Sequence, residues 1–123
     1  MKIRKIEDLK NIPEGITELD ISGLGLTTLP ILPQSLTVLK CNVNKLTSLD
    51  NLPQSLTVLN CYYNKLTSLD NLPSGLTYLD CKDNNFPEEM TTILDDKDLT
   101  IQEKIDKLIE GCLIPYDNSF VLK

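Results

Sequence analysis

The chain has 123 residues, 41% of them hydrophobic, with a net charge of -6; it is long enough for one domain and too apolar for wholesale disorder. It has no histidine, which excludes Ser-His and Cys-His nucleophile pairs, HExxH sites and His-containing zinc fingers. Its cations form no stripe and no apolar run approaches the ~20 residues of a membrane helix, so neither nucleic acid nor a membrane is an expected partner.

The N-terminus begins Met1-Lys2-Ile3-Arg4-Lys5 with no apolar stretch after it, so no secretion signal is expected and the expected setting is cytoplasmic, in a source cell or a host. Ile6, Leu9, Asn11, Ile12 and Pro13 match Leu46, Leu49, Asn51, Leu52 and Pro53, which marks 1–11 as a half-repeat. Four units of 20 residues follow over 12–91, held in phase by Cys41, Cys61 and Cys81. Residues 32–51 read LPQSLTVLKCNVNKLTSLDN, and residues 52–71 read LPQSLTVLNCYYNKLTSLDN.

A unit this short cannot bury its own apolar side, so neighbouring units must stack to cover it. Leu19, Leu39, Leu59 and Leu79 are expected mid-strand and inward, with Ile21, Cys41, Cys61 and Cys81 two residues later on the same face. Leu26, Leu46, Leu66 and Phe86, with Leu29, Leu49 and Leu69, fill the return path. Pro13, Pro33, Pro53 and Pro73 favour extended or polyproline-like backbone there. Asn44, Asn64 and Asn84 stand where each strand must turn, and a carboxamide can both donate to and accept from backbone groups left without a ladder partner. Leu24 replaces this asparagine in the first unit, which predicts an irregular first turn.

After Asn84 the repeat fades. Pro87 followed by Glu88 and Glu89 reads as a helix start. Thr100 and Glu103 have capping-box spacing, Ile101, Ile105, Leu108 and Ile109 make one apolar stripe, and Gly111 marks a stop. Such a helix would cover the open core edge of the last unit, as solenoid ends require. Together, 92–123 are read as a C-terminal cap and tail. Acidic residues gather here, with Glu88, Glu89, Asp95, Asp96, Asp98, Glu103, Asp106 and Glu110 against Lys97, Lys104 and Lys107. The tail from Cys112 to Lys123 reads as packed irregular chain or a short strand.

The unit spacing LxxLxCxxNxLxxL resembles the leucine-rich repeat. The short period and the leading Leu-Pro segment are similar to the compact class of bacterial effectors and to uncharacterised leucine-rich repeat proteins of giant DNA viruses. The resemblance implies an α/β right-handed solenoid with a short parallel sheet of four or five strands on its concave face, an extended convex side and a helical C-terminal cap. It also implies a protein-binding role.

For function, catalysis is the weakest reading. The cysteine column gives one inward thiol per coil, a row and not a tetrahedral cluster, so Cys41, Cys61 and Cys81 read as small buried hydrophobes. Cys112 is a lone thiol, Asp80 and Asp83 read as solvated charges, and no metal or cofactor is expected. The two near-identical units differ only at Lys40/Asn60, Asn42/Tyr62 and Val43/Tyr63, on or beside the outward strand face. The expected protein-binding surface is therefore Val38, Lys40, Asn42, Val58, Asn60, Tyr62, Tyr63, Tyr78, Asp80 and Lys82, since large amphipathic rings are common binding anchors. Lys45 and Lys65 are expected on the convex side. The leading function is a noncatalytic module binding an unidentified protein, as a monomer or with weak self-association. The alternatives are a structural, self-associating repeat protein or a substrate-recognition module for a ubiquitin ligase supplied in trans.

Overall fold

A computed structural model describes residues 1–111, 113 and 114. Strands β1 (Glu18–Asp20), β2 (Val38–Lys40), β3 (Val58–Asn60) and β4 (Tyr78–Asp80) form one parallel sheet in chain order. Leu19 pairs with Leu39, Leu39 with Leu59 and Leu59 with Leu79, so each coil is one sequence unit. Beyond the strands the ladder continues: Cys41 N–H donates to Asn60 O at 2.8 Å and Val43 N–H to Tyr62 O at 2.9 Å. The segments that return from one strand to the next contain no helix or strand. Twenty residues per coil leave no room for a multi-turn helix there.

The core runs along the solenoid axis. Leu39, Leu59, Cys41, Cys61, Leu36, Leu56, Leu46, Leu66 and Leu69 are all fully buried. Burying such a leucine stabilises by roughly 1.5–3 kcal/mol, so the columns supply the main driving force. Thr37 and Val38 N–H both donate to Thr17 O, and the Thr37 hydroxyl reaches the same carbonyl at 3.2 Å. Thr57 and Thr77 repeat that bond in the next two coils, to Thr37 O and Thr57 O. Ser35 and Ser55 add hydroxyl bonds to Ile16 O and Leu36 O.

The N-terminus departs from a plain half-repeat. Lys2 bridges to Asp20 in parallel, with Ile3 N–H donating to Asp20 O at 2.9 Å and Asp20 N–H to Met1 O at 2.8 Å. Ile3 joins the core, so this short segment covers the edge of β1. Ile6, however, does not take the buried place of Leu46, whereas Leu9 packs half-buried against the core. They lie in a 3-10 helix, Ile6–Asn11, and Ile6 is 55% exposed. In a full coil, Lys45 N–H donates back to Leu26 O of the coil before. In residues 5–11 the backbone bonds to itself instead, as in Asp8 N–H to Lys5 O at 3.0 Å.

At the other end, α1 (Glu88–Leu94) and α2 (Ile101–Glu110) close the solenoid. The capping box is present: Glu103 N–H donates to Thr100 Oγ1 at 3.1 Å, and Thr100 N–H to Glu103 Oε1 at 2.9 Å. Met90, Leu94 and Leu108 are buried, and Ile101, Ile105 and Ile109 pack half-buried against the core. Lys104 Nζ donates to Leu94 O at 2.6 Å, joining α2 to the C-terminal end of α1, where carbonyls lack helical partners. Gly111 ends α2 at φ -82, without the left-handed turn that only glycine makes easily. The expectations for Cys112 and for the remainder of the tail fall outside the described residues.

Candidate functional site

Strand alternation sends the residues flanking each inward leucine to the concave face, and the register lines them up by coil. Glu18, Val38, Val58 and Tyr78 form one row; Asp20, Lys40, Asn60 and Asp80 form the next. A third row, Asn42, Tyr62 and Lys82, follows from the continuing ladder, in which Tyr63 N–H donates to Lys82 O at 2.9 Å. Rows of neighbouring coils lie ~4.8 Å apart in a parallel sheet, so these side chains form one surface. Val38, Val58 and Tyr62 are half-buried there, while Tyr78 is 51% exposed. Beyond β4 the face runs into a groove of about 780 Å³ between the last coil and the cap, lined by Tyr78, Asp80, Lys82, Leu94 and Lys104 among others.

Several outward polar residues also hold their own backbone, a role that sequence reasoning missed. Ser22 N–H donates to Asp20 Oδ1 at 2.9 Å, Lys82 N–H to Asp80 Oδ1 at 3.3 Å, and Tyr62 N–H to Asn60 Oδ1 at 3.4 Å. The shared signal is an Asp or Asn two residues before an amide that points away from the ladder. Lys40 cannot make this bond. At the N-terminal edge Lys2 Nζ pairs with Asp20 Oδ1 at 3.2 Å and reaches Ser22 Oγ at 2.8 Å. Partial burial alone would raise the Asp20 pKa. The Ser22 hydroxyl and amide, with Lys2, outweigh it and hold the carboxyl below its ordinary value.

Under this face, each asparagine serves two coils. Asn64 Oδ1 accepts from Leu46 N–H at 3.0 Å, and its Nδ2 donates to Cys41 O at 3.1 Å and Cys61 O at 3.0 Å. Asn84 repeats the pattern with Leu66, Cys61 and Cys81. Asn44 accepts from both Leu24 and Leu26 N–H, so the first unit needs no asparagine of its own. The first turn shares the left-handed residue of the other coils, at Gly23, and differs from them by a second one at Gly25, both at φ 71.

Cys41, Cys61 and Cys81 are free and buried. Burial pushes the Cys41 and Cys81 thiols up to about 12 and Cys61 well above its usual value. Such thiols stay neutral near pH 7 and are poor nucleophiles.

Two placements differ from the sequence-based expectation. Tyr63 and Val43 have left-handed backbone, at φ 58 and 56. This turn breaks the alternation and carries both side chains off the strand face to the lateral rim. Lys45 and Lys65 are not on the convex side: they line the same rim groove as Val43 and Tyr63.

No protein-family model matches this chain, and no curated protein matches it. Among solved structures it is similar to the leucine-rich repeat domain of a Shigella effector, at 38% identity and a TM-score of 0.55. The similarity covers 63% of this chain and 34% of that one, so this chain matches about a third of that structure's length. The fold is that of a leucine-rich repeat solenoid, similar to that of the effector domain, and such a fold suggests an interaction module. No helix among the described residues is long and apolar enough to cross a membrane.

Proposed function

We propose that this leucine-rich repeat solenoid is a noncatalytic module that binds a protein partner across its concave strand face, in the cytoplasm of its source cell or of a host. The observation that carries the reading is the alignment of outward rows. Val38, Val58 and Tyr78 lie side by side in the first row, Tyr62 stands in the third with Asn42 and Lys82, and Lys40, Asn60 and Asp80 lie between them. Aromatic rings ringed by polar groups are the composition of binding hot spots. Four coils give a small footprint, so affinity is modest unless the partner also enters the groove between β4 and the cap.

Capture of partners from source or host cytosol, comparing wild type with Tyr62→Ala/Tyr78→Ala, tests this. The double variant should keep its fold and lose about 2 kcal/mol or more of binding. Asp70→Ala, exposed on the return path, should bind as wild type. A captured partner that is retained by the tyrosine variant and lost by the Asp70 variant places recognition elsewhere. Self-association is judged by solution mass: a concentration-independent monomer excludes it.

A further inference from the structure

The lateral rim is a second surface with its own chemistry. One column there holds Gly23, Val43, Tyr63 and Asp83, all at positive φ, at 71, 56, 58 and 57 respectively. In the last three coils this left-handed residue precedes the inward asparagine, and in the first it precedes Leu24. Glycine enters that region freely, whereas a β-branched residue such as valine is disfavoured there. The first coil uses glycine and keeps the register. The scaffold therefore accepts glycine in this column, and packing does not explain the larger residues. Val43 is 43% exposed and Tyr63 61% exposed. Strained backbone that displays exposed apolar side chains points to a role outside the fold.

A second, independent feature lies two residues on. Lys45 and Lys65 follow Val43 and Tyr63, whereas Gly25 and Asn85 follow Gly23 and Asp83. Neither lysine is in an ion pair among the described residues, where Lys2–Asp20 is the pair found. Apolar and cationic side chains thus occur together only in the two central coils. They line one open groove of about 560 Å³ whose floor is Asn44, Asn64 and Asn84. Asp83 lines the groove as well, so the two lysines stand against one carboxylate and leave a local positive excess in a chain of net charge -6.

We propose that this rim binds an acidic segment of a partner protein, one that places an apolar side chain against Val43 and Tyr63 and carboxylates beside Lys45 and Lys65. Charge complementarity selects the occupant: a basic segment would meet two unpaired ammonium groups, and a neutral one would leave them unused. The site is separate from the concave face and stands whether or not that face binds.

The test uses the full chain and a fluorescent peptide of alternating glutamate and leucine, with a lysine–leucine peptide as control. At low salt the acidic peptide binds and the basic one does not. Lys45→Gln/Lys65→Gln weakens binding about tenfold or more, and rising salt does the same. Val43→Gly/Tyr63→Gly weakens it several-fold while melting at or above the wild-type temperature, because the backbone strain is released. Tyr78→Ala on the concave face leaves peptide binding unchanged. The proposal is overturned if the acidic peptide fails to bind, if both peptides bind alike, or if the lysine variant binds as wild type. It is also overturned if the glycine variant melts lower, which makes Val43 and Tyr63 structural. Self-association at low salt that the lysine substitutions abolish overturns it too, since the occupant is then a second copy's acidic cap.

Discussion

At the residue scale, the asparagine column separates groups with one partner from groups with two. Cys41 O accepts from both Asn44 and Asn64, so it keeps a donor if Asn64 is lost. Leu46 N–H is different: among the described residues its side-chain acceptor is Asn64 Oδ1 alone. Asn64→Ala should therefore leave one buried amide unpaired, at about 1–3 kcal/mol. Asn44→Ala leaves the amides of Leu26 and of part-buried Leu24 unpaired and also removes the Asn44 Nδ2 bond to Ile21 O, and should be the more destabilising in urea melts. Asn60→Ala removes only a 3.4 Å bond on the outward face and should cost under about 0.5 kcal/mol. Equal effects at Asn60 and Asn64 would mean that the coil is not held by its inward carboxamides. The thiols give a pH prediction of defined sign. An acid whose folded pKa is raised binds its proton more tightly when folded, so its contribution is fully present below the unfolded value and is lost as pH rises through the folded one. With Cys41 and Cys81 raised to about 12, stability should fall progressively above about pH 9. Asp20, held low, acts in the other direction: its pairing with Lys2 and Ser22 is lost as pH falls below the ordinary carboxylate range, loosening the N-terminal edge first. Native labelling at neutral pH should leave Cys41 and Cys61 unmodified, with Cys81 at the end coil reacting before them.

At the scale of elements, the ends carry most of the risk. The mid-strand leucine of the last coil, Leu79, is only half-buried where Leu39 and Leu59 are fully buried, so the helices must supply what a further coil would. Leu108 is the fully buried residue of α2, and Leu108→Ala should cost about 2–5 kcal/mol, read as a lower denaturation midpoint. Thr100→Ala, which breaks an exposed capping box, should cost about 1 kcal/mol. The strands, both helix starts and the inward columns were legible because each rests on a local signal that repeats or caps: leucine and cysteine in phase, Pro87, and Thr100 with Glu103. The 3-10 helix at Ile6–Asn11 was not, because the match of Ile6, Leu9, Asn11 and Ile12 to a later unit points to a repeat segment there instead. The rim was misplaced for a backbone reason. Alternation holds through Tyr62, then the left-handed turn at Tyr63 rotates the next side chains away, and no sequence period records that rotation. Gly23 in the same column was the available clue.

At the scale of the whole molecule, the coils behave as nearly interchangeable units, each in contact with its neighbours. Removing residues 52–71 would test this directly. The cut joins Asn51 to Leu72, and the residue lost at the other end, Asn71, has the same backbone as Asn51, at φ 57 against 60. The new junction therefore reproduces a turn the chain already makes. Asn84 would come to serve Leu46 as it now serves Leu66, and β4 would pair with β2 in the register that β3 now uses. The core columns would stay continuous, with Leu39 against Leu79 and Cys41 against Cys81, and the caps would be untouched. Stability should drop by only about 1–3 kcal/mol, since a unit removes both its burial and the entropy of ordering its residues. The denaturant slope should fall as well, because less surface is exposed on unfolding. Excising ten residues instead, 52–61, shifts the columns by half a coil and sets the apolar positions of the remaining chain against turns, so that protein should not fold. Circular dichroism melts of the two deletions measure the difference: a cooperative transition for the first and none for the second. If the in-phase deletion fails to fold while its caps are intact, the coils are not modular, and the central pair acts as a nucleus on which the others depend.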